Sequence, residues 1–290
     1  MTTKREMPVR ALAPWFGAGR MIAPLVGREL AGCKWVGVPF AGGMSEIAEI
    51  DARSIAVNDL HRHVMNMAMV VAVDASGMAR ALSRVPFHPD ALKFAQAKCL
   101  EMERGGWDFG ELAHSAEFNW AVNYFICCWM GRSHKAGGAD EFNGGISTRW
   151  NANGGDSNTR YRSALRGLVE WGRIMRRCSF TCLDAFEFLE KCPDTKETGI
   201  YCDPPWLILG DKYTHKFSES GHQRLAARLA EFKHARVVLR HGDNPLIEEL
   251  YREDRGWTWL RSEGRTQTNE AKDESLILNG PSRADGGMFQ

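Results

Sequence analysis

The 290 residues carry a formal net charge of +1 and are 44% hydrophobic and 25% charged, which excludes a disordered or fibrous chain and fits one large α/β domain with an insertion. No apolar run approaches the roughly 18 residues a membrane helix needs, and Met1-Thr2-Thr3-Lys4-Arg5 leads into no signal-like segment, so a cytoplasmic location is expected. The cysteines at 33, 99, 127, 128, 178, 182, 192 and 202 form no C-x-x-C pair, which argues against a zinc cluster or disulfide framework and for small buried side chains.

In chain order, a glycine turn, Trp15-Phe16-Gly17-Ala18-Gly19-Arg20, precedes a helix expected over 22–30. A strand over 34–38 runs into Pro39-Phe40-Ala41-Gly42-Gly43, a short helix is expected over 45–50, and a strand over 54–59 ends in Asp59. Strand, glycine turn, helix, strand and acid form the layout of a nucleotide-binding βαβ unit, in which glycines allow close backbone approach and the acid accepts ribose hydroxyls. The alternative for Asp59 is a cap on the next helix.

Helical patterns follow over 64–73, 89–104 and 116–130, with Phe118, Trp120, Phe125 and Trp129 expected in the core and His61-Arg62-His63 expected as a solvated helix start. Residues 131–158 are too rich in Gly and Asn for regular structure, and a loop this long is usually functional. Between Arg132 and Arg177 nine Lys/Arg face four Asp/Glu, a local excess that suits phosphates or an ordinary solvated surface. Alternation then resumes: a helix over 163–176, a strand over 179–183, a strand into Asp203, a helix over 221–232, a strand over 236–240, a helix over 245–252, and strands over 257–260 and 274–278.

The most informative stretch is Tyr201-Cys202-Asp203-Pro204-Pro205-Trp206. Two prolines supply no N–H, so the Asp203 and Pro204 carbonyls can be held toward a ligand beside the Asp203 carboxylate. Such acceptors suit an exocyclic amine, and Trp206 offers a ring on which its base could stack, a contact worth roughly 1 to 3 kcal/mol.

Those six residues resemble the catalytic motif of amino-methyltransferases that use S-adenosylmethionine, and further segments resemble the Dam-like (D12 class) DNA adenine-N6 methyltransferases. Trp15 to Arg20 is similar to their N-terminal W-x-G-G-K motif, Pro39-Phe40-Ala41-Gly42-Gly43 to their cofactor loop, Asn58-Asp59 to their second-strand acid, and Glu274-Ser275-Leu276-Ile277-Leu278-Asn279 to their closing strand. The resemblance implies a Rossmann-like α/β methyltransferase sheet with helices on both faces and an inserted, mainly helical target-recognition subdomain. The catalytic domain is expected over 1–60 and 169–290 and the insertion over 61–168.

It further implies adenine-N6 methylation of double-stranded DNA, with S-adenosylmethionine as donor and no metal. Catalysis falls to Asp203, Pro204, Pro205 and Trp206, acting on a flipped-out adenine. Cofactor binding falls to Trp15, Arg20, Pro39, Phe40, Gly42, Asp59, Asp184 and Asp203, although Asp184 equally suits a helix cap. DNA contacts fall to Arg132, Lys135, Arg149, Asn153 and Arg160.

Three residues and one segment depart from the family pattern: Val38 replaces an acid, Arg20 a lysine and Trp206 the commoner tyrosine, and around Arg240-His241-Gly242 a serine-containing pattern is not matched. Competing readings are an RNA adenine or DNA cytosine-N4 methyltransferase and a non-catalytic DNA-binding protein; an oxidoreductase is disfavoured because the glycine loop lacks G-x-G-x-x-G. A separate restriction enzyme is a conceivable partner, and a monomer or homodimer is expected.

Overall fold

The structure, a computed structural model, describes residues 9–15, 19, 21–105, 114–132, 136–138, 140–148, 156–207, 215, 217–265 and 271–284. Two compact units result: Met1–Ala18 with Gly42–Ala48 and His61–Arg177, and Gly19–Ala41 with Glu49–Leu60 and Cys178–Gln290.

The second unit is built on one sheet. Strands β1 (Trp35–Val38), β2 (Ser54–Asn58), β3 (Cys178–Thr181), β4 (Thr198–Cys202) and β5 (Arg236–Gly242) are parallel, while β6 (Thr258–Arg265) and β7 (Ala271–Leu278) form an antiparallel end. The order is β3-β2-β1-β4-β5-β7-β6. Strands β4 and β5 are buried throughout, as central strands covered on both faces are, and β5 buries Arg236 and Arg240 beside its apolar Val237-Val238-Leu239.

Against one face, α6 (Ala185–Glu190), α7 (Glu219–Glu231) and α8 (Pro245–Leu250) press Phe188, Leu225, Leu229 and Ile247 onto Ile200, Val237, Leu239 and Ile277. On the other face lies the end of α1 (Ala23–Glu29), where a Cβ on Gly199 would meet Leu30 at 2.8 Å. Helix α1 is tied down by Glu29, which pairs with the Arg236 guanidinium of β5 and accepts from Ser282 and from the N–H groups of Arg283 and Ala284.

The first unit consists of α2 (Arg62–Ser83), α3 (Pro89–Gly105), α4 (His114–Met130) and α5 (Ser157–Met175), with α2 packed on both α4 and α5. The helix expected over 64–73 continues to Ser83 through a kink at Asp74, whose carboxylate accepts the Gly77 N–H at 2.8 Å and so restarts the helix. Likewise α5 begins at Ser157, inside the expected loop, because Asp156 caps it through the Thr159 N–H at 2.6 Å.

Two expectations need correction. Residues 45–49 are turns rather than a helix, and Met44 just before them has φ 62°, a left-handed conformation that breaks a helical entry. His61 and His63 are buried, not solvated. His61 Nδ1 accepts the Val64 N–H as the cap of α2, which leaves Nε2 to donate to Glu141 at 2.6 Å, eighty residues along the chain. Phe125 and Trp129 lie in the core, whereas Phe118 and Trp120 are half-buried. Six cysteines are buried and two, Cys178 and Cys182, are partly so.

Burial of Glu29 pushes its pKa up, but hydrogen bonds from Arg283, Ser282, Arg236 and Ala284 outweigh this and hold it below the ordinary 4.5. The stability it contributes is therefore complete above pH 4.5 and lost as pH falls through the depressed folded value. In urea titrations at pH 7, Glu29→Gln should lose about 3 kcal/mol, since Arg236 is left buried without its counter-charge. The variant's stability should also fall less than the parent's below pH 4.5.

Candidate active site

Parallel strands end their carboxyl edges on one side of the sheet, and the strand order reverses direction between β1 and β4, where α/β sheets bind ligands. Asp59 follows β2, Asp184 follows β3 by three residues, and Asp203 follows β4 directly.

Asn58 fixes three of those strand ends. Its amide donates to the carbonyls of Pro39 at 3.1 Å and Leu183 at 3.0 Å, while its carbonyl accepts from Leu183 N–H and Thr181 Oγ1, both at 2.8 Å. Both ends of the amide are thus used, and an aspartate could not replace the two donated bonds. Sequence reading treated Asn58 only as the neighbour of the acid; its burial inside a strand end is the signal that marks it.

Asp59 does not cap α2, since that position belongs to His61, and its N–H donates to Thr181 O at 3.4 Å. Asp184 does cap a helix, accepting the Phe186 N–H of α6 at 2.9 Å. Phe40 lies edge-on to Phe217 at 5.4 Å, and Phe217 stacks on Phe186 at 6.1 Å, so an aromatic wall follows β1.

Asp203 is held from two directions. Arg240 Nη1 donates to Oδ2 at 2.7 Å and Trp206 Nε1 to Oδ1 at 3.3 Å. The second guanidinium nitrogen of Arg240 donates to Glu274 of β7 at 2.6 Å, so one cation bridges two carboxylates. Side-chain exposure is 2% for Arg240, 9% for Glu274 and 18% for Asp203, leaving Asp203 the most open member. Arg240 lies in the segment Arg240-His241-Gly242 that departs from a serine-containing family pattern, and an arginine directly after the apolar run Val237-Val238-Leu239 was the available signal.

Trp206, expected to offer a stacking face, is 6% exposed. It stacks on His241 at 5.5 Å, the Arg240 guanidinium lies 5.2 Å from its ring centre, and a Cβ on Gly242 would come within 2.6 Å of it. Only glycine fits at 242 beside an indole in this position. Pro205 O accepts from His222 Nε2 of α7 at 3.1 Å, which fixes the proline turn.

Within the helical unit, Trp15 is wedged beside Gly42 and Gly137, both with positive φ (47° and 75°), and a Cβ on either would meet its indole within 3 Å. His61 stands edge-on to that indole at 5.0 Å. Glu141 accepts from His61, from Gly137 N–H at 2.9 Å and from Tyr124 OH at 3.2 Å. Burial raises the Glu141 pKa, yet the charge and hydrogen bond of His61, then the Gly137 N–H and the charge of His63, bring it below the ordinary value.

Of the expected DNA contacts, Arg132 is exposed, while Arg160 is half-buried with its guanidinium 5.8 Å from the Trp129 ring. Arg20, Lys135, Arg149 and Asn153 lie outside the described residues. Among the described residues no cluster of three or more His, Cys, Asp or Glu could hold a metal, and no helix is long and apolar enough to cross a membrane.

A parallel sheet covered by helices on both faces, an antiparallel closing pair and a proline turn at the end of β4 match the Rossmann-like α/β fold of methyltransferases. The chain belongs to the D12 class N6 adenine-specific DNA methyltransferase family, whose model matches residues 20–268. No curated protein is significantly similar to it.

Burial, then the neighbouring His241, lower the His222 pKa from 6.5 to about 4 against the opposing effect of the Pro205 carbonyl. His222 should therefore stay neutral at pH 7, and its contribution to stability should be complete above pH 6.5 and decline as pH falls toward 4. An NMR titration of the ring nitrogens should place its midpoint near 4, and a midpoint near 6.5 would contradict the buried tautomer.

Proposed function

We propose that the protein transfers a methyl group from S-adenosylmethionine to N6 of adenine in double-stranded DNA. The observation that carries this reading is Asp203, a carboxylate held by Arg240 and set directly after β4 at the start of the turn that carries Pro204. The donor set fits the cofactor: an acid after β2, a cap acid after β3 and the aromatic wall of Phe40, all at the carboxyl edge of neighbouring parallel strands.

Asp59 would hold the ribose hydroxyls, Pro39 and Phe40 would line the cofactor, and Trp15, Arg20, Gly42 and Asp184 are proposed as further cofactor contacts. When bound, S-adenosylmethionine would supply a sulfonium-activated methyl to the amine nitrogen, the carbon–sulfur bonding pair staying on sulfur and one N–H proton passing to Asp203 or to solvent. Asp203 and the Pro204 carbonyl accept the amine N–H groups, orient the nitrogen lone pair and stabilise the positive charge that grows on it. A base inside a duplex cannot reach these acceptors, so the adenine is flipped out.

The helical unit is proposed as the target-recognition part. Arg132, Lys135 and Arg149 would contact phosphates, and Asn153 would read base edges. The packing of Arg160 on Trp129 favours a supporting role for that residue.

Incubation with methyl-labelled S-adenosylmethionine and separate DNA and RNA pools should give N6-methyladenine in DNA. Label in 4-methylcytosine, or in RNA alone, would contradict the reading. In filter-binding assays over a salt series, Arg132→Ala should weaken DNA binding and reduce the log–log slope by about one.

A further inference from the structure

We infer that Arg240, with Glu274 as its counter-charge, is the positioning residue that sets the Asp203 carboxylate for methyl transfer. The inference rests on the function proposed above and goes beyond it, because it assigns work to two residues that the proposed function leaves without a role.

The geometry is specific. A guanidinium is planar and presents its nitrogens in a fixed fork, so two carboxylates bound through Nη1 and Nη2 are fixed relative to one another. Arg240 projects from β5, Asp203 follows β4 and Glu274 lies on β7, so the fork also sets the acceptor against three adjacent strands. Trp206 completes the arrangement as an indole donor to Oδ1. Each carboxylate oxygen has two acceptor sites, and these two internal bonds leave capacity on Asp203 for an incoming amine.

Charge balance explains why Glu274 belongs to the device. Asp203 and Arg240 alone would sum to zero and present little negative potential to a nitrogen that is becoming positive. Glu274 restores a net charge of one minus to the trio, and Asp203 is the member with the largest opening to the outside. The buried pair Arg240–Glu274 therefore lets the site have both a rigid acceptor and an undiminished negative field. A purely structural bridge would make a different prediction: its loss would lower stability, while the remaining folded protein would turn over as before.

The test uses the full-length chain with an adenine-containing duplex. Arg240→Lys keeps the charge but reaches only one carboxylate, and Glu274→Gln keeps the shape and the hydrogen bond but removes the counter-charge. Circular dichroism reports folding, equilibrium dialysis reports S-adenosylmethionine binding, and single-turnover assays report the transfer step.

Expected results are cofactor affinity within about twofold of the parent and a transfer rate lowered about 100-fold in Arg240→Lys, the scale of a misplaced reacting group. In Glu274→Gln the rate should fall about tenfold through loss of the field. The double variant should be no slower than Arg240→Lys alone, since the residues act as a unit. Transfer at the parental rate in folded Glu274→Gln, or losses confined to the KM for the cofactor, would overturn the inference. If the parent itself leaves adenine unmethylated, the underlying reading fails instead, and the two failures are told apart by that control.

Discussion

One buried guanidinium organises this edge of the sheet. Arg240 is almost wholly removed from water, and a buried cation persists only where partners replace its hydration. Asp203 on one side and Glu274 on the other do so, and the Trp206 ring lies close to the same group. The constraint spreads outward. Gly242 must lack a side chain for the indole to take its place, and the antiparallel pairing of β7 on β5 brings Glu274 opposite Gly242, one pleat from the Arg240–Leu276 pair. The acceptor turn, the closing strand and the aromatic neighbour are thereby parts of one arrangement.

The ends of β1, β2 and β3 in the same sheet follow a related logic with neutral groups. Asn58 uses both ends of its amide to join the segments after β1 and β3 to its own strand, so the backbone leading to Asp59 and Asp184 is held without burying charge. Burial, then His241, lower the pKa of the His222 ring that donates to Pro205 to about 4, so this support of the proline turn is expected to be uncharged at neutral pH. Within the helical unit, Glu141 and His61 form a comparable buried junction under Trp15. Each of these devices replaces flexibility with satisfied hydrogen bonds, which is what positioning of a weakly nucleophilic amine requires.

Much of this was legible in the sequence for local reasons. Apolar runs over β1, β4 and β5, the proline turn after Asp203 and the apolar spacing of α7 depend on neighbours along the chain, and their element types follow from pattern alone. What was hidden depends on partners far away. Arg240 read as a departure from a family pattern, because its role rests on residues 37 and 34 positions distant. His61 and His63 read as solvated, because Glu141 returns from eighty residues on. Helix α6, six residues long and capped by Asp184, is too short to show a period, and the turns at 45–49 were mistaken for a helix.

The central claim is that the Asp203 carboxylate, as a negative acceptor, drives methyl transfer, and that its charge matters far more to that step than to the cofactor contact expected of the same residue. Asp203→Asn keeps the shape and an acceptor for Arg240 and removes the charge. Single-turnover methylation with saturating S-adenosylmethionine, run beside calorimetric cofactor titration, tests it most directly. The account predicts cofactor affinity within about twofold and a transfer rate lowered at least about 100-fold; a rate near that of the parent, with the cofactor bound, would contradict it.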